Sequence, residues 1–193
     1  FKNEALLHEA LVHRSYLNEN PDFSLGSYER LEFLGDAILS AVVAQELFLC
    51  GPELTEGDLT NGRAFLVRGE YLAGLAESIG LGEYLFTGRG DEATGGRSRE
   101  SSLEAVMEAL VGAVFLDQGY QKAKDFVLKY MVKDIQHIVA HGIASDPKAA
   151  LLELVQKTDG KKPEYRLVET SGAVHAPSFV VEVLVHSQVM GRG

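Results

Sequence analysis

Between Tyr28 and Phe48 the chain reads YERLEFLGDAILSAVVAQELF, a stretch whose apolar positions wrap nearly the whole circumference of a helix. Leu31, Phe33, Leu34, Ala37, Ile38 and Leu39 leave one gap, and Glu29, Glu32 and Asp36 fill it. Spaced i, i+3 and i+7 at ~100° per residue, these acids fall within about 60° of one another. A helix apolar nearly all round is expected to be buried, so a carboxylate row on it must meet something that offsets its desolvation. A second apolar segment, Ser101 to Leu116, carries only Glu104 and Glu108, at i and i+4 on one face. If the two helices pack face to face, their acids converge.

The remaining pattern is helical up to residue 141. Residues 4–17 predict a first helix, 18–26 a loop, and Thr55 to Arg68 a helix with Thr55 as N-cap and Asp58 closing a capping box. Glu70 to Ile79 and Gly82 to Leu85 predict further helices, Thr87 to Arg99 a mobile Gly- and charge-rich loop, and Gln121 to His141 a last amphipathic helix. No strand pattern interrupts residues 1–141, which predicts an all-α domain. Residues 142–147 read as a linker. Lys148 to Lys157 then predicts a helix, and Tyr165 to Glu169 and Phe179 to His186 predict strands. Residues 148–193 thus form a partial α+β module, α-β-β, ending within what reads as a third strand.

Composition changes the picture in two places. The 193 residues are 46% hydrophobic and include one cysteine, Cys50, which excludes an intrachain disulfide framework and a Cys-based zinc cluster. Net charge is −10; residues 1–145 carry 22 acids against 12 bases and residues 146–193 six of each. Such a balance does not by itself advertise phosphate binding. Arg97 and Arg99, with Arg89, form the densest basic cluster in residues 1–145 and remain candidates to face phosphate. No apolar run reaches the ~18 residues of a membrane span and the N-terminus is not a secretory signal, so a cytoplasmic protein with no membrane partner is expected.

The candidate chemistry is metal chemistry with oxygen donors. An all-carboxylate set suits Mg²⁺, with Mn²⁺ as a substitute, better than zinc. His8 and His13 resemble an HExxH pair with one residue too many, which sets them ~140° apart on a helix and excludes a zinc-protease site. No G-x-S-x-G elbow is present.

Glu29 to Asp36, ERLEFLGD, resembles the signature segment of the ribonuclease III family of double-stranded-RNA endonucleases. His13-Arg14-Ser15-Tyr16 with Asn18, Gly95-Gly96-Arg97, and Glu108-Ala109-Leu110 followed by Gly112 and Leu116-Asp117 occur in the family's order. Residues 148–193 resemble the start of its C-terminal double-stranded-RNA-binding domain, notably at Ala150-Leu151, Glu153-Leu154-Val155-Gln156 and Pro163-Glu164-Tyr165. The resemblance implies a homodimer of all-α endonuclease domains, active in RNA processing. It implies Mg²⁺-dependent hydrolysis of phosphodiesters to 5′-phosphate and 3′-hydroxyl ends. By position, Glu32, Asp36 and Glu108 would be metal ligands, and Glu29, Asp36 and Glu108 catalytic, with Glu29 at the edge of the site. Phe33 would be a dimer-interface knob, and Glu153, Gln156 and the loop around His175 would contact RNA. The pattern departs at Ala105, where the family carries an aspartate; Glu104 is the candidate substitute. It departs again at Ala149 and Leu152, where the RNA-binding helix usually offers polar side chains, and at Gly193, short of the last helix. Ala105 also motivates an alternative, a catalytically impaired dimeric RNA-binding protein of the same fold.

Overall fold

The computed structural model describes residues 1–143, 151–152, 154–156, 158, 160–173 and 176–193. The chain divides into two compact units, Phe1–Ile143 and Ala144–Gly193. The first contains α1 (Glu4–Ala10), α2 (Arg14–Glu19), α3 (Glu29–Cys50), α4 (Glu56–Leu66), α5 (Gly69–Ser78), α6 (Arg89–Ala93), α7 (Glu100–Gln118) and α8 (Tyr120–His141), with 3₁₀ turns at Leu81–Tyr84 and Gly96–Ser98.

α7 is the spine of this unit because it is apolar on every side. Every residue from Ala105 to Val114 is buried, and α1, α3, α5 and α8 pack around it. α3 lays Leu31, Gly35, Leu39, Val42, Val43 and Leu47 inward. Two glycines bring α3 and α7 together: a Cβ on Gly35 would overlap the carbonyl oxygen of Glu108, and one on Gly112 the carbonyl oxygen of Leu31. That close approach fixes the height of Glu32 and Asp36 against Glu108.

α3 is also long and apolar enough to cross a membrane by length and composition, with a mean hydropathy of 1.7 over its most apolar window. The sequence count missed this because Asp36 and Glu46 interrupt the run. The helix is a packing partner of α7 here, and its acids face a cleft.

Other expectations resolve in physical detail. Thr55 and Asp58 form the full capping box of α4. α5 ends at Gly80, whose φ of 68° puts the chain in the left-handed region that glycine tolerates. The helix predicted over 4–17 is instead two. Leu11 and His13 exchange backbone bonds with Phe86, Phe86 N–H donating to Leu11 O (2.9 Å) and His13 N–H to Phe86 O (3.0 Å), while Tyr28 N–H donates to Val12 O (2.9 Å). A continuous helix would claim the same groups, so tertiary pairing wins over local propensity. The segment predicted as a mobile loop over 87–99 contains α6 and a 3₁₀ turn. Arg97 pairs with Glu92, and Arg99 donates to Asp91 Oδ1 (2.9 Å) and Thr94 Oγ1 (3.2 Å).

In the second unit, β1 (Glu164–Ala173), β2 (Ala176–Val185) and β3 (Gln188–Arg192) form an antiparallel sheet in the order β1-β2-β3. β1 and β2 run longer than predicted because their pairing continues to Ala173 and Ala176. Arg166 and Glu182, opposite one another across β1 and β2, form a 2.6 Å ion pair. His186 and Ser187 turn β2 into β3 with φ of 51° and 62°, the twist that two-residue hairpins favour. Leu151, Leu152 and residues 154–156 are helical, with Val155 buried. Glu153, His175, Ala149 and most of the expected linker lie outside the described residues.

Candidate active site

The acids of α3 and α7 share one cleft. Glu29, Glu32, Phe33, Asp36, Val67, Glu104 and Glu108 line a cavity of about 690 Å³. The helical spacing read from the sequence accounts for the acids: the i, i+3, i+7 row of α3 faces the i, i+4 pair of α7 across the Gly35–Gly112 contact.

Burial and mutual repulsion dominate the electrostatics. Glu108 is only 8% exposed. Its carboxyl is pushed up from 4.5 to about 8, first by burial and then by the charges of Asp36, Glu104 and Glu32. Glu32 is raised as well, by burial and then by Glu104 and Glu29. Asp36 has a long contact from Ser40 Oγ (3.4 Å). Glu29, at the outer end, accepts from Ser27 Oγ (3.0 Å) and pairs with Arg14 (3.6 Å). Among the described residues no lysine or arginine pairs with Glu32, Asp36, Glu104 or Glu108; neighbouring Arg68 pairs with Glu70. Among the described residues these four carboxylates thus gather without a paired cation.

This donor set fits a divalent metal. It is all oxygen, which suits a hard cation, and Glu108 is a buried acceptor that a cation would compensate. Among the described residues, no three His, Cys, Asp or Glu side chains already stand close enough to hold an ion. Like charges without a counterion repel one another, so such a spread is the expected resting arrangement.

The other candidates lie elsewhere. Phe33 sits on the rim of the cleft and is 82% exposed. Arg97 and Arg99 are engaged with Glu92 and Asp91 and do not line the cleft. Ala105 is buried in the core. Gln156 is helical and exposed. His13 caps α2, its Nδ1 accepting from Ser15 N–H (3.2 Å) and standing 3.5 Å from Asp91 Oδ2. Sequence reasoning missed Val67 and the approach of Gly69 to Glu104; neither carries a signal in the chain.

Comparison with known proteins adds an independent line. Residues 3–135 match the family described as Ribonuclease-III-like, and residues 147–193 match the double-stranded RNA binding motif. The chain belongs to the ribonuclease III family. All of it aligns with "Ribonuclease 3" of Natranaerobius thermophilus at 42% identity, covering 83% of that protein, and with "Ribonuclease 3" of Dehalococcoides mccartyi at 38% identity, covering 81%. A solved nuclease domain of ribonuclease III from Campylobacter jejuni superposes with a TM-score of 0.63 at 38% identity, over 69% of this chain and 89% of that one. That structure was described for flexibility in a region involved in dimer formation.

Proposed function

We propose that the chain is an endoribonuclease that cuts double-stranded RNA at the acidic cleft between α3 and α7. The carrying observation is Glu108: a buried carboxylate facing Asp36, Glu104 and Glu32, in a chain of the ribonuclease III family. Glu32, Asp36 and Glu108 would hold Mg²⁺, or Mn²⁺ in its place. A divalent cation bound there supplies Lewis-acid polarisation of the phosphodiester and a lowered pKa for attacking water.

The chain's own residues do the rest. Without a counterion the carboxylate row repels a phosphodiester, so the cleft admits substrate only once its charge is offset. Packing of α7 against α3 keeps Glu108 in one place, and Arg14 and Ser27 hold Glu29 at the edge of the cleft. Water oxygen bonds to phosphorus as the bond to the 3′ oxygen breaks, leaving a 5′-phosphate and a 3′-hydroxyl. The second unit contributes duplex binding, read through backbone shape and 2′-hydroxyls, with Gln156 on its exposed helical surface and Glu153 and His175 as further contacts. Arg97 and Arg99 would meet phosphate by exchanging their internal carboxylates for it.

Exposed Phe33 supports a homodimer, since a phenyl ring 82% in water on a long apolar helix is a natural contact for a second copy. RNA processing in the cytoplasm is the corresponding role. The cleft keeps its other acids although position 105 is alanine, so the non-catalytic alternative is not favoured. The test is incubation of the full chain with long duplex RNA and Mg²⁺, beside an EDTA control and Glu108→Ala. Cleavage by wild type alone in Mg²⁺ supports the reading; RNA bound but left intact by wild type defeats it.

A further inference from the structure

We infer that Glu104 is a further ligand of the cation proposed for the acidic cleft, and that Gly69 is the positioning residue that leaves room for it. The inference rests on the metal-site reading above and deepens it.

Position 105 supplies no side-chain oxygen, because it is alanine, and its methyl group is buried in the core. Glu104, one residue earlier, stands ~40° from Glu108 on the helix surface and lines the cleft with Glu32 and Asp36. Its carboxylate does not float in solvent. It lies against the backbone of Gly69, the first residue of α5, where an added Cβ would come 2.6 Å from Oε2 and 2.9 Å from Oε1. Any side chain at 69 would therefore drive the carboxylate away. The positive end of the α5 macrodipole attracts an anion at this point. Arg68, the adjacent cation, is otherwise engaged: its guanidinium stacks 4.2 Å over Phe65 and pairs with Glu70 at 3.6 Å.

Glu104 thus lines the same cleft as Glu32, Asp36 and Glu108. Within this group the side chain that most needs a cation is Glu108. It is more than nine-tenths buried, opens on the cavity, and forms no ion pair among the described residues. Glu104 lies on the same cleft wall, with its carboxylate against Gly69.

The experiment is a Mn²⁺ titration of the full chain without RNA, free ion being read by electron paramagnetic resonance. The variants are Glu104→Gln, Glu108→Gln, Gly69→Ala and the Gly69→Ala/Glu104→Gln double. Glu104→Gln is expected to weaken Mn²⁺ binding about tenfold or more. Gly69→Ala is expected to weaken it too, and to add nothing once Glu104 is already Gln, because it acts through that side chain. If Glu108→Gln loses affinity while Glu104→Gln binds as wild type, the Glu104 inference fails and the metal site stands. If neither variant changes affinity, both fail. If Gly69→Ala costs affinity equally in both backgrounds, its effect is on the fold and the positioning role is wrong. Glu104→Gln removes a repelled charge and should melt no lower than wild type, so it decides the matter even if Gly69→Ala folds poorly.

Discussion

Replacing Glu108 by Gln in the metal-free chain should stabilise it in alkaline solution, the reverse of the usual outcome of altering a buried residue. The folded chain holds the Glu108 carboxyl at about 8 against an ordinary value of 4.5. Between those values the folded state keeps a proton that the unfolded state has released. The contribution of this group to stability is therefore greatest below pH 4.5, falls as pH rises through the window, and levels off above 8. At ~1.36 kcal/mol per pH unit the ceiling on that loss is about 5 kcal/mol. Water in the open cleft screens the neighbouring carboxylates, so roughly 2 kcal/mol is the expected size. Gln keeps the shape and carries no charge; its gain should appear above pH 8 and vanish below 4.5. Urea unfolding in EDTA, followed by helical circular dichroism, measures both limits. Adding Mn²⁺ at a hundredfold excess over its Kd should then stabilise wild type by about 2.7 kcal/mol and the variant far less. A Gln variant no more stable than wild type above pH 8 would refute the reasoning, because Glu108 would then have to be paired.

Three further outcomes follow from the packing. Gly35→Ala forces a methyl into the Glu108 carbonyl and should cost about 3 kcal/mol, read as a lowered thermal midpoint; an unchanged midpoint would mean α3 and α7 can part freely. Phe33→Ala removes a ring that is 82% exposed, so it should leave the unfolding of the monomer unchanged while sedimentation shifts from dimer to monomer; a persistent dimer would place the interface elsewhere. Thr55→Ala breaks the capping box of α4 and should cost about 1 kcal/mol in urea unfolding, with no effect on Mn²⁺ binding.

Much of the site was legible in the chain because helical geometry is local. Three acids at i, i+3 and i+7 must share a face, and the i, i+4 pair on α7 must do the same; only the pairing of the two helices was left to the fold. The Thr55–Asp58 box and the Val-rich strands were readable for the same reason. What escaped was set by contacts distant in sequence. The break at Leu11–His13 exists because Phe86 takes up backbone groups there. Residues 87–99 are structured because Arg99 meets Asp91 and Arg97 meets Glu92. The expectation of a fully buried α3 was half right: Leu39, Val42 and Leu47 are inside, whereas Phe33 and Phe48 are exposed, and pattern alone cannot tell a core face from one awaiting a partner. Gly69 had no signal at all, since its role lies in the space it leaves for Glu104.

The most direct test is to see the ion. Anomalous diffraction from crystals of the full chain grown with Mn²⁺ should show a peak in the cleft between α3 and α7, at about 2.1 Å from carboxylate oxygens of Glu32, Asp36 and Glu108. A cleft without a peak at saturating Mn²⁺, or an ion bound only by other residues, would contradict the proposed site.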